Sequence, residues 1–136
     1  MDCVFCTLIR EGSARWVFRG PVVSAFAPLE PLAPGHTLVV PNAHFADLFD
    51  TPPDVLAETT EQVRRLAEVM RSALGAGGVN LLHASGPGSQ QSVPHLHVHV
   101  VPRWPGDGFT TWPGERSGHR LDGDAVDLLA AATAGG

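Results

Sequence analysis

The stretch that most restricts how this chain can fold is Ser92-Val93-Pro94-His95-Leu96-His97-Val98-His99-Val100-Val101-Pro102. Imidazole and aliphatic side chains alternate through it, which is the period of a pleated strand with two unlike faces. On such a strand His95, His97 and His99 line one face, about 6.5 to 7 Å apart, while Leu96, Val98 and Val100 enter a core on the other. Three imidazoles on an apolar strand are not packing residues, because burying them requires polar partners. They face a cleft, a metal or each other.

The rest of the chain reads as a small α+β domain around that strand. Cys3 to Arg10 is expected to form a short opening helix ending near Gly12. Arg15–Arg19 and Val22–Ala27, split by Gly20-Pro21, read as two strands, and His36–Val40, bounded by Pro34-Gly35 and Pro41, as a third. Thr51-Pro52-Pro53-Asp54 offers an N-cap hydroxyl, first-turn prolines and a carboxylate in the capping-box place. Leu56, Val63, Leu66, Met70 and Leu74 then recur near the helical period, and Gly75, Gly77 and Gly78 end the helix. Val79–His83 and His95–Val101 supply the last strands, joined through the Gly/Ser/Gln stretch 86–92. Few strands beside one main helix give an antiparallel sheet of about five strands, with one long helix and a short N-terminal one. Residues 1–115 make one domain and 116–136 a tail, either a short helix or disordered; residues 103–120, rich in Gly, Pro and Trp, are mostly loop.

With 136 residues, 43% of them hydrophobic and 17% charged, the chain is sized and composed for one globular core. Its nine Lys and Arg form no cluster and its net charge is −5, which argues against binding a nucleic-acid polymer through its phosphates. No stretch approaches 18 apolar residues, so no membrane span is expected, and Met1-Asp2-Cys3 does not open a basic-then-apolar leader. A cytoplasmic setting follows as the expectation. Two cysteines there favour a metal over a disulfide framework.

Two chemistries use several histidines. A di-metal hydrolase normally adds carboxylates close by, yet no Asp or Glu lies between Glu68 and Asp107. Nucleophilic imidazole chemistry needs none. Cys3-x-x-Cys6 is compatible with half of a tetrahedral zinc site, and equally with a buried thiol pair. Gly86 and Gly88 allow backbone N–H groups to approach an anion. Isolated His36, His83 and His119 read as satisfied polar residues.

His95-Leu-His97-Val-His99-Val-Val resembles the signature of the histidine-triad family of nucleotidyl hydrolases and transferases. The likeness spans residues 3–113: Cys-Val-Phe-Cys-Thr-Leu-Ile at the start, Pro31-Leu-Ala-Pro-Gly-His36-Thr-Leu-Val-Val-Pro41, Asn80, and Gln91-Ser92-Val-Pro-His95. It implies that His97 attacks the α-phosphorus of a nucleoside phosphate derivative (a phosphoramidate, an adenylate or a dinucleoside polyphosphate) and carries the nucleotidyl group until water removes it. His99 would contact the non-bridging oxygens and Ser92 the leaving atom, with Gln91, His36, Ser85 and Asn80 around the substrate. In zinc-bearing members two histidines complete a Cys₂His₂ site, and these fall on His44 and His95 beside Cys3 and Cys6. A homodimer is implied as well.

Two positions depart from the family pattern. Where relatives carry an acidic or amide residue for the ribose hydroxyls, this chain has Pro28, which offers no side-chain acceptor and no N–H. Glu30 is two residues out of register. Where relatives have Asn or Gln before the glycine loop, this chain has Ala84 followed by Ser85. These changes keep open two other readings: a zinc-stabilised module that binds a phosphorylated ligand without turnover, and a metal-dependent hydrolase using the triad as ligands.

Overall fold

The computed structural model describes residues 3–135; Met1, Asp2 and Gly136 of the two expected spans lie outside the described residues. The elements are α1 (Val4–Glu11), β1 (Trp16–Arg19), β2 (Val23–Phe26), β3 (Thr37–Pro41), α2 (Pro53–Leu74), β4 (Gly78–Leu82), β5 (Val98–Arg103) and α3 (Ala125–Thr133). The five strands form one antiparallel sheet in the order β1-β2-β3-β5-β4. An α+β fold with a long helix and a short N-terminal one is what the alternating pattern and the single long apolar period require.

Each face of the sheet packs a different layer. Val23, Ala25, Val39 and Val100 meet Val63, Leu66 and Met70 of α2. The buried α2 residues Thr59, Val63, Leu66 and Met70 recur every three or four positions, one face of a 3.6-residue helix. Leu74 is 46% exposed, at the edge of that stripe. On the opposite face Phe26, Leu38 and Val40 pack with Cys3 and Phe5 of the N-terminal segment. Fully burying an aliphatic side chain of this size contributes about 1.5–3 kcal/mol, so both layers are needed to hold the sheet.

Local chemistry sets the boundaries. Gly75 ends α2 at φ 68°, a left-handed backbone that glycine adopts without a Cβ clash. Thr51 is not the N-cap of α2: Pro52 is, with no side-chain cap, and the Thr51 hydroxyl donates to the Asp47 carbonyl at 2.7 Å. The β5 ladder starts at Val98, three residues later than the histidine alternation suggested. The cause lies in its neighbours. β3 pairs as far as Val39↔Val98 and β4 as far as Leu82↔His99, and Pro94 brings no N–H of its own. Residues 95–97 are therefore held otherwise, with the Leu96 N–H on the Phe45 carbonyl at 2.7 Å.

α3 is capped by Asp124, whose carboxylate accepts from the N–H groups of Val126 and Asp127. None of its residues is buried, and every described residue from Trp112 onward is exposed. No helix of the described residues is long and apolar enough to cross a membrane.

Candidate active site and metal centre

His95, His97 and His99 enter the face of the sheet that α1 covers, and three kinds of partner receive them. A carbonyl can only accept, so each ring nitrogen bonded to one must carry the hydrogen. Nδ1–H of His97 donates to the His95 carbonyl at 2.7 Å, which leaves the lone pair on Nε2. That ring is 5% exposed, and among the described residues the one buried side-chain nitrogen or oxygen without a partner is Nε1 of Trp16. The unpartnered Nε2 of His97 is therefore reachable from outside.

His99 is set the other way round. The Leu32 N–H donates to Nδ1 of His36 at 3.0 Å, so a neutral His36 carries its hydrogen on Nε2. Nε2–H of His36 then donates to Nδ1 of His99 at 2.9 Å, which places the His99 hydrogen on its own Nε2. The rings of His97 and His99 meet edge to face at 5.2 Å between centroids. A lone pair thus stands beside an N–H donor. That combination suits attack on an electrophile whose oxygens gather negative charge.

Burial keeps these rings neutral. It pulls His97 below the ordinary imidazole value, against the opposing hydrogen bond to the His95 carbonyl, and it lowers His36 as well. His99 falls to about 4, through burial first and then through the neighbouring His97, His36 and His83. A neutral imidazole keeps its lone pair, which nucleophilic attack requires.

His95 faces a different neighbourhood. Its Nε2–H donates to the Pro41 carbonyl at 2.8 Å, and its Nδ1 lone pair lies 3.4 Å from Cys3 Sγ and 3.5 Å from Cys6 Sγ. Nδ1 of His44 lies 3.3 Å from Cys6 Sγ, and all four donor atoms fall within 4.8 Å of one another. A tetrahedron with Zn–S near 2.3 Å and Zn–N near 2.0–2.1 Å has S···N edges of roughly 3.6 Å. Two thiols, two imidazole lone pairs and these separations fit a closed four-coordinate metal. The Pro41 carbonyl fixes the ring that would bind it. α1 makes the cluster possible, because its first turn puts Cys6 one turn from Cys3, where the Cys6 N–H caps onto Cys3 Sγ. Burial, followed by Cys3, raises the Cys6 thiol.

The other expected site residues are dispersed. Gln91 faces inward: its Oε1 accepts from the Gly86 N–H at 2.9 Å, and its Nε2 donates to the carbonyls of Ala46 at 2.6 Å and Val93 at 2.9 Å. The Gly86 N–H, expected to be free for an anion, is thereby engaged, although Gly86 does take the left-handed turn at φ 88°. Asn80 accepts from Arg103 at 2.7 Å and from Thr111 at 2.8 Å, and so ties down the loop after β5. Ser92 is exposed, three residues before His95 in the chain.

His83 is the satisfied polar residue that the sequence suggested, but the sequence did not show that its partner is the triad. Nδ1–H of His83 donates to the His97 carbonyl at 2.8 Å, and its Nε2 accepts from the Ser85 hydroxyl at 2.5 Å. Ser85 in turn accepts from the Leu48 N–H at 2.8 Å. His83 supplies the donor that the missing ladder would have given. The available signal was its place at the end of the strand read beside the triad.

The chain is similar to known proteins in both sequence and fold. The chain is 36% identical over 121 residues to an uncharacterised HIT-like protein of Methanocaldococcus jannaschii, covering 88% of this chain and 93% of that one. It is 32% identical over 133 residues to the adenylylsulfatase HINT3 of Arabidopsis thaliana, covering 95% of this chain and 66% of that protein. A zinc-bound histidine triad family protein from Mycobacterium smegmatis superposes with a TM-score of 0.77 at 34% identity, covering 99% of this chain and 95% of that one. The HIT domain profile matches residues 10–106, and the chain belongs to the HIT family.

Proposed function

We propose that this protein is a nucleotidyl hydrolase or transferase that works through a covalent intermediate on His97. The observation that carries the reading is the hydrogen bond from His97 Nδ1 to the His95 carbonyl, 2.7 Å long, which directs the lone pair of Nε2 outward. In the first step Nε2 forms a bond to the α-phosphorus, and the bond from phosphorus to the leaving group breaks with its electron pair. The Ser92 hydroxyl protonates the departing atom. In the second step water attacks the phosphorus, the P–N bond returns its electrons to Nε2, and the proton shed by water restores Ser92. His99 donates from Nε2 to the non-bridging oxygens. Splitting one displacement in two lowers each barrier.

Around this centre His36 sets the His99 tautomer, while Gln91, Ser85 and Asn80 act through the loops they hold. Cys3, Cys6, His44 and His95 would hold zinc, which supplies a structural cross-link there and takes no part in the displacement. Relatives lend the chemistry support: one is named an adenylylsulfatase. We further infer a cytoplasmic homodimer, joined through α2, whose outward groove is lined by Pro53, Leu56 and Ala57, and through the β4 edge, where Leu81 is 55% exposed.

Mass spectrometry of protein quenched with adenosine 5′-phosphoramidate tests the centre. A nucleotidyl mass on His97 is expected, and His97→Ala should lose turnover by roughly a thousandfold or more with its fold intact. Unchanged rates in that variant would overturn the mechanism. Binding with neither turnover nor adduct would favour the binding-module reading, which Pro28 and Ala84 support.

A further inference from the structure

A cavity of about 770 Å³ opens beside the imidazole row. Two of its lining residues touch that row directly. His36 bonds to His99 at 2.9 Å, and Phe5 stands edge-on to His97 with ring centroids 5.2 Å apart. The organic group esterified to a phosphorus at His97 is therefore within reach of this cavity.

The wall is aromatic and aliphatic, with Phe5, Leu8, Trp16, Phe26 and Leu38 prominent. Phe26 fixes it by edge-to-face contacts with Phe5 at 5.2 Å and Trp16 at 5.6 Å. No Asp, Glu, Asn or Gln lines it. Pro28 is in the lining, whereas Glu30 is exposed and outside it. The side-chain hydroxyls are those of Ser13 and Thr37, and Thr37 already donates to the Gly35 carbonyl at 2.8 Å. The orphaned Nε1–H of Trp16 belongs to a residue of this wall but is itself buried, so it is not presented to a molecule in the cavity. The cavity is thus rich in apolar surface and poor in side-chain acceptors. Sugar hydroxyls both donate and accept, but the carboxylate or amide oxygen that would take two neighbouring hydroxyl hydrogens at once is absent from this wall. A flat ring needs only apolar area and ring edges.

We propose that this cavity selects substrates by the aromatic group carried on the phosphate and is indifferent to sugar hydroxyls, so that deoxynucleoside and non-nucleoside arylalkyl phosphoramidates are taken alongside ribonucleotides. The claim about which phosphates are turned over rests on His97 as nucleophile; the claim about binding does not.

Calorimetric titration separates the two. The His97→Ala chain is titrated with adenosine 5′-phosphoramidate, its 2′,3′-dideoxy counterpart and ethyl phosphoramidate. The first two should bind within about threefold of each other, and the ethyl compound at least about thirtyfold more weakly. A larger penalty for the dideoxy compound, ethyl binding equal to the others, or no binding by any of the three overturns the proposal. Pro28→Asp adds an acceptor to the wall and should raise the penalty for losing the hydroxyls to about tenfold; Pro28→Asn serves if the carboxylate prevents folding. An unchanged ratio in the folded variant also overturns it. Turnover of the same compounds by the native chain then reads the other claim. Equal binding without turnover or a His97 adduct leaves the cavity's selectivity standing and removes the nucleophile.

Discussion

The two ends of the histidine row put one residue type to opposite uses. His95 gives its Nε2–H to the Pro41 carbonyl and turns a lone pair toward two thiols. His99 receives a hydrogen from His36 on Nδ1 and turns an N–H toward the open side. His95 is fully buried and His99 half-buried. The difference teaches that an imidazole's role is settled by whatever holds its other nitrogen. A carbonyl makes a lone pair available; an N–H donor makes a hydrogen available. His97, between them, follows the first rule and remains open.

The comparison breaks most severely at the cysteine end. If the four donors hold a metal, Cys6→Ser should lose it and lower unfolding stability by roughly 3–5 kcal/mol, because metal binding to such a cluster is folding free energy. Metal analysis and urea titration check this, and chelation of the native protein should act in the same direction. Full metal content in the variant would remove the cluster from consideration as the ligand set.

At the other end the effect should be on rate. His36→Ala removes the donor that fixes His99, so kcat should fall roughly tenfold to a hundredfold with metal content unchanged. His36→Asn keeps an N–H and should recover part of the loss, with KM changing less than kcat. Equal rates in the alanine and asparagine variants would make His36 a packing residue only.

A pH series sharpens the same contrast. His99 titrates at about 4 in the folded chain against 6.5 for a free imidazole, so the unfolded chain takes up its proton first as the pH drops. The stability linked to it is full above pH 6.5, drains as pH falls toward about 4, and is spent below that. Urea titrations across this window should show a shallower decline for His99→Gln than for the native chain. A parallel decline would mean that the ring is not held neutral.

The smallest effect is expected far from the row. Ending the chain at Glu115 removes α3 and the segment before it, none of which is buried. The melting temperature should stay within about 2 °C, since exposed residues contribute little. Sedimentation should give a dimer for both lengths. A monomer only after truncation would assign the tail to the interface.

Much of the fold was legible because its signals are local. Alternation in Val98–Val101, the helical period through Val63, Leu66 and Met70, and the glycine after Leu74 each report a backbone geometry within a few residues. Boundaries were less legible where a distant neighbour decides them. The β5 ladder stops at Val98 because β3 and β4 run out of pairing there, and Thr51 turns to Asp47 instead of capping α2. Within the site, the triad could be seen as a row, whereas the engagement of Gln91 with the backbone and of His83 with the His97 carbonyl could not. Those contacts join residues of separate elements.

By itself, then, the sequence determined that three imidazoles would alternate with apolar residues into the start of a strand, that a long amphipathic helix would back the sheet, and that two cysteines one helical turn apart would stand near the chain's start. Only the tertiary structure decided which nitrogen of each ring carries a hydrogen, because the deciding groups (the carbonyls of Pro41 and His95, and the ring of His36) reach the rings only once the chain has folded. Periodicity is a property of neighbours along the chain, whereas a tautomer is a property of neighbours in space.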